Sequence, residues 1–280
     1  MVGIAVPSFA QEEDSPFSAS VSAGLEYDSN ITVDSIDSTS NVGDNAFVFD
    51  GSLGFDVVDN DDTNFSVGYD FYQSLHDDVD EFDLQIHGFN ADVRRSIDRI
   101  DLGATYLFNT IKLGDESFLD MHTIRPSVGY LLSNNKVYLT GAYEYQDQSF
   151  KQVNLMGRDA IKHSGSLKAL FLLGDGRTIN TGYTYSRHNA LNDGFSYDGQ
   201  RLEASLKLPF DVANREVTFR GSYRYTIRNY DAESLQFDTE IREDRRHNLR
   251  TSLEIPLFSG FFTKVEYEYI DSNSTLASVD

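Results

Sequence analysis

Cysteine and tryptophan are absent from the 280 residues, proline occurs five times, and no apolar run reaches the length of a membrane-crossing helix. Each lack closes a class of explanation. Without cysteine there are no disulfides, thiol nucleophiles or thiolate metal sites. Without a run of about 18 or more apolar residues there is no transmembrane helix. Cations are scarce as well: 23 Lys and Arg stand against 45 Asp and Glu, a formal net charge of −22. A nucleic-acid partner is therefore not expected, because binding needs Lys and Arg to neutralise phosphates. No Pro-, Ser- or Gly-rich tract marks a linker. The acidic excess is expected in loops and turns.

What the chain does have is 20 Phe, 16 Tyr and a pervasive alternation of apolar and polar positions. Residues 217–228 show it best. Val217, Phe219, Gly221, Tyr223, Tyr225 and Ile227 fall on one face of an extended segment; Thr218, Arg220, Ser222, Arg224, Thr226 and Arg228 fall on the other. Successive side chains of a strand point to opposite faces. A tyrosine-rich apolar face backed by a cationic one fits a strand with lipid outside and water inside. The mean hydropathy of −0.40 does not oppose this, since half of every barrel strand faces water.

Thirteen such segments are expected, near residues 17–29, 45–58, 63–74, 82–95, 100–112, 119–132, 136–146, 159–173, 178–188, 196–208, 215–228, 242–257 and 261–271. The fourth changes phase around His87 and Phe89, which suggests a bulge at Gly88. The eighth is nearly all apolar over residues 167–173, so its faces stay undecided. Connections after even-numbered segments are short (59–62, 96–99, 133–135, 174–177, 209–214 and 258–260), and those after odd-numbered ones are mostly longer (30–44, 75–81, 113–118, 147–158, 189–195 and 229–241). Outer-membrane barrels alternate in this way, with tight periplasmic turns and longer outer loops. The fold class expected is all-β, an antiparallel up-and-down transmembrane β-barrel in the bacterial outer membrane. Because single-chain bacterial barrels close with an even number of strands, thirteen are read as part of a fourteen-strand barrel whose last strand follows residue 280. Residues 1–10 look like the end of a secretory signal, with Ser8 and Ala10 at the −3 and −1 cleavage positions. Residues 11–16 would form a short periplasmic lead and 17–280 the barrel.

Two motifs resemble a known family. Gly24-Leu25-Glu26-Tyr27-Asp28-Ser29-Asn30-Ile31 resembles the opening of the barrel in surface lipoprotein assembly modifiers. Tyr267-Glu268-Tyr269-Ile270-Asp271-Ser272-Asn273-Ser274 resembles the segment before that barrel's final strand, with a shorter spacing between Tyr269 and Asp271. The resemblance implies a translocation barrel or channel, with an exported lipoprotein or a separate periplasmic repeat protein as partner. Family members carry a periplasmic tetratricopeptide-repeat domain before the barrel, and here residues 11–16 alone separate the expected cleavage site from the first strand.

The candidate chemistry lies in the lumen. Arg220, Arg224 and Arg228, with Arg250 on the next strand and Arg201 and Lys207 on the previous one, would form a basic wall facing Glu203, Glu254, Glu266 and Glu268. Such a stripe can orient or select solutes by charge; equally, the charges can pair across neighbouring strands and fill a plugged lumen. Acidic clusters at 59–62 and 77–81, the latter beside His76, lack the ligand spacing of a calcium loop. The six histidines, at 76, 87, 122, 163, 188 and 247, show no metal-ligand spacing and are expected in loops or the lumen. No Gly-x-Ser-x-Gly or phosphate-cradling loop occurs. No metal, cofactor or catalytic residue is therefore expected, and outer-membrane lipid is the expected surroundings. Three functions remain open: a translocation barrel, a general or charge-selective porin, and a plugged structural or adhesive surface barrel.

Overall fold

The computed structural model describes residues 2–4, 15–33, 38–40, 42–133, 135–213, 215–233, 241–258 and 261–275. Sixteen strands follow in chain order: β1 (Val2–Ile4), β2 (Phe17–Asp28), β3 (Thr32–Val33), β4 (Ser38–Thr39), β5 (Asp44–Asp59), β6 (Thr63–His76), β7 (Leu84–Ile97), β8 (Ile100–Leu113), β9 (Glu116–Leu131), β10 (Val137–Phe150), β11 (Ala160–Gly174), β12 (Arg177–Ala190), β13 (Tyr197–Val212), β14 (Arg215–Glu233), β15 (Ile241–Phe258) and β16 (Phe261–Ser274). All thirteen expected segments are strands. Together with β1 they form one closed barrel, in which each long strand pairs antiparallel with its sequence neighbours. The fourteenth place in the ring, expected from a segment after residue 280, is held by Val2–Ile4. The seam is thin, because β1 makes two registered pairs with β16 and three with β2.

The register separates two faces. In β14, Phe219, Tyr223 and Tyr225 align with Leu208, Ala204 and Leu202 of β13, while Arg220, Arg224 and Arg228 align with Lys207, Glu203 and Gly199. The apolar parity is the exposed one: Leu167 is 70% accessible, Leu202 55% and Leu53 60%. In a water-soluble protein such side chains would be inside, so their position calls for an apolar surrounding. On β8 the outward set Ile100, Leu102, Ala104, Tyr106 and Phe108 covers about 20 Å of height at usual strand rise and tilt, close to the apolar band of membrane barrels. In β11, Leu167, Ala169 and Phe171 point outward, and Lys168, Leu170 and Leu172 point inward, which resolves its ambiguous faces up to the irregularity between Leu172 and Gly174.

Toward the long-loop end, the outward band finishes in hydrogen-bonded aromatic pairs. The hydroxyls of Tyr69, Tyr106, Tyr143 and Tyr223 bond Nδ1 of His87, His122, His163 and His247 at 2.7, 2.9, 2.5 and 2.7 Å. Four histidines expected in loops or lumen therefore stand on the outer surface. Amphipathic rings suit a membrane–water boundary. Beyond them the outward residues turn polar: Arg187 pairs with Asp231 and, at 3.5 Å, with Asp198.

One strand and one connection differ from expectation. The ladder runs unbroken through Gly88, so the expected bulge is absent. The phase change has another cause: Leu84 and Ile86 point inward, where the lumen is locally apolar. The loop expected over 113–118 is a two-residue turn, Gly114–Asp115, with φ of +54° and +63°. Both residues adopt the left-handed conformation that a tight hairpin requires, and a Cβ on Gly114 would sit 3.0 Å from the Glu81 carbonyl oxygen.

The most buried apolar cluster lies inside the barrel, at the long-loop end. Phe118, Leu119 and Phe150 are 2–4% exposed, with Ile111, Leu113, Met121, Leu155 and Val33 packed on them. Val33 belongs to the small β3–β4 hairpin, so the first long connection folds back into the mouth. The Phe118 and Phe150 rings meet edge to face, 5.4 Å apart.

Candidate functional site in the lumen

Arg201, Lys207, Arg220, Arg224, Arg228 and Arg250 all carry the inward parity of β13, β14 and β15. Lys162 and Lys168 extend the same wall onto β11. Glu203, Glu254, Glu266 and Glu268 are also inward, but they lie among the cations and do not face them. Lys168 is 2.6 Å from Glu203, Arg220 3.7 Å from Glu254, Arg250 2.7 Å from Glu268 and Lys264 2.5 Å from Glu266. The pairs with both partners solvent-accessible add little stability each, and all four order the long side chains along the wall, with Glu266 the one buried carboxylate among them.

The pairing is incomplete. Among the described residues, Lys162, Arg201 and Arg224 have no carboxylate within 4.0 Å, and the buried Nε of Arg201 and Nδ1 of His188 have no hydrogen-bond partner. His188 stacks on Tyr197 at 4.7 Å, and the Arg228 guanidinium lies 5.2 Å from the same ring. Strand register brings these groups together: Lys162 sits opposite His188, His188 opposite Tyr197, and Glu203 opposite Arg224.

The wall that faces this one was missed in the sequence. In a ring of fourteen, strands seven places apart are opposite, so β11–β15 face β2 and β5–β8. The inward positions there include Glu26, Asp28, Asp50, Asp70, Asp92 and Asp101, with Arg94 the single Lys or Arg among the described residues. The acidic excess is thus partly in the strands, which corrects its expected confinement to loops. Neutral donors hold these carboxylates: Ser22 donates to Asp50 at 3.1 Å, Asn90 to Asp70 at 2.9 Å, Thr105 to Asp92 at 2.5 Å, and Ser96 and Tyr138 to Asp101 at 2.5 and 2.6 Å. A neutral donor fixes a carboxylate without cancelling its charge. Alternation could have revealed part of this set, since Asp70, Asp92 and Asp101 each sit between apolar outward neighbours.

The family-like motifs lie on strands two places apart in the ring, β2 and β16. Tyr27 points outward and is 63% exposed. Asp28 is inward and accepts the Asn30 amide at 3.0 Å, with Ser29 between them in the turn. Asp271 and Asn273 are outward, aligned with His247 and Arg245, and Ser272 is inward opposite Arg246. His76 ends β6 with Nδ1 3.4 Å from Asp83, and the described residues contain no cluster of metal-ligating side chains.

No protein-family model and no curated protein matches the chain. Among solved structures, CdiB from Acinetobacter baumannii aligns with a TM-score of 0.47 and 9% identity over 98% of this chain, which spans 66% of CdiB. OprD from Pseudomonas aeruginosa aligns at 0.37 and 11%, over 99% of this chain and all of that one. OccAB4 from A. baumannii aligns at 0.35 and 10%, over 96% and 88%. The likeness to surface lipoprotein assembly modifiers stays with the two short motifs.

Proposed function

We propose that the protein is an outer-membrane channel, without enzymatic chemistry, whose lumen passes small charged or zwitterionic solutes. The observation that carries this reading is the segregation of lumenal charge: cations on β11–β15 stand across from carboxylates on β2 and β5–β8. Opposed walls of fixed charge produce a field across the pore. A solute bearing both signs is turned by that field, its anionic group toward Arg201 and Arg224 and its cationic group toward Asp50 and Asp70. Placement in the outer membrane rests on the exposed apolar band and the tyrosine–histidine boundary above it.

Planar-bilayer recording tests the reading. The protein should give stable conductance, and Arg201→Glu with Arg224→Glu should shift the reversal potential in a salt gradient toward cations. Absence of any conductance from correctly folded protein would remove the channel and favour a plugged surface barrel. A translocation role is favoured by the two Asp-Ser-Asn motifs on β2 and β16. It predicts that deletion changes surface exposure of an exported lipoprotein while conductance variants do not.

A further inference from the structure

The lumen also contains a cavity that charge segregation does not explain. Near the long-loop end, side chains from β2, β5–β10 and two of the long connections surround a space of about 420 Å³. That lies in the range of small-molecule sites and far exceeds the room one water needs. A pore lined only for ion passage has no use for grease on its wall. Yet Ile86, Ile111, Leu113, Phe118, Leu119 and Met121 line one side of this space, on the inward parity, away from the membrane band.

The other side carries Glu26, Asp28, Asp44 and Tyr72. Asp44 is committed to the fold: it accepts the backbone N–H of Asn45, Asp78 and Val79 at 2.7, 2.8 and 3.1 Å. Asp28 accepts one N–H, from Asn30. Glu26 has no hydrogen-bond or ion-pair partner among the described residues. Among the described residues no Lys or Arg lines the cavity, and its His76 stands beside Asp83. An apolar chamber with carboxylates at one end, and no lining Lys or Arg among the described residues, matches a ligand with an apolar body and a positive head.

We propose that this cavity binds a small amphiphilic cation, an organic ammonium with an apolar body of several carbons. The ammonium lies against Glu26 and Asp28, and the body against Ile86, Ile111, Leu119 and Met121. The inference deepens the channel reading, relying on it only for access from bulk water; the chamber is present whether or not the pore conducts.

The test is calorimetric titration of the full chain in lipid nanodiscs, with empty discs subtracted, using butyltrimethylammonium, hexyltrimethylammonium and hexyl sulfate. Hexyltrimethylammonium should bind saturably and roughly tenfold tighter than the butyl compound, for two more buried methylenes. Glu26→Gln, nearly isosteric, should weaken both ammonium ions about fivefold or more, preserve their ratio, and leave hexyl sulfate unchanged. Met121→Gln should shrink the hexyl-to-butyl ratio and spare the Glu26 effect. Absence of saturable ammonium binding, or binding indifferent to both Glu26→Gln and chain length, would overturn the site. Conductance measured on the same preparation separates the two ideas. Conductance without ammonium binding leaves the channel and removes the site; binding without conductance does the reverse.

Discussion

The two halves of the lumen share one strand pattern and treat charge differently. On β11–β15, cations stand beside carboxylates close enough to pair, as Lys168 with Glu203 and Arg220 with Glu254 do, and a few cations are left over. On β2 and β5–β8, carboxylates are held by Ser, Thr, Asn and Tyr, and almost none meets a cation. Neutral donors fix most of the acidic wall without cancelling its charge, whereas the basic wall loses much of its charge to ion pairs. The acidic half also carries the apolar cavity and the inward-folded first connection. A barrel of one sheet thus encloses two chemically distinct walls.

Variants can sharpen or break this contrast. The largest effect belongs to packing. Phe118→Ala should cost about 3–5 kcal/mol, because a nearly inaccessible ring leaves a cavity behind. Leu170→Ala, an inward half-buried leucine of the basic half, should cost less than about half of that. Urea-dependent unfolding in vesicles would show it, and equal costs would mean that the mouth cluster is no special anchor. The next effect separates outside from inside: Leu206→Arg, in the middle of the outward band, should cost about 2–4 kcal/mol, against under about 1 kcal/mol for its lumenal neighbour Ser205→Arg. The outer surface should be indifferent to the lumenal halves. Tyr69→Phe on the acidic side and Tyr223→Phe on the basic side each remove one hydroxyl–imidazole hydrogen bond, so each should cost about 1 kcal/mol. The smallest expected change is functional. Asp70→Asn should raise, and Arg224→Gln lower, the anion-to-cation permeability ratio roughly twofold, with stability unchanged.

Much of the fold was legible because lipid on one side and water on the other impose a strict period of two. β6 obeys it almost throughout, and β8 and β14 obey it over residues 100–106 and 217–228. The basic wall was legible for the same reason, since Arg220, Arg224 and Arg228 recur at even spacing on one face. Legibility failed where the inside stops being uniformly polar. Leu84 and Ile86 looked like a slip in register, because a one-residue slip and an apolar lumenal patch leave the same trace in sequence. Asp50, Asp70 and Asp92 fall inside the expected strand segments, yet the wall they form appears only when neighbouring strands are aligned. The outward histidines were missed because an imidazole tolerates the band only through its tyrosine partner on the adjacent strand, and that contact has no linear signature.

The central claim is that greasy side chains face lipid while the polar ones enclose water. Because the chain lacks cysteine, it is tested most directly by single-cysteine scanning along β14 in liposomes with a membrane-impermeant thiol reagent. Arg220→Cys, Ser222→Cys, Arg224→Cys and Thr226→Cys should react, and Phe219→Cys, Tyr223→Cys and Tyr225→Cys should stay protected. Uniform reactivity, or protection of the arginine positions instead, would contradict the account.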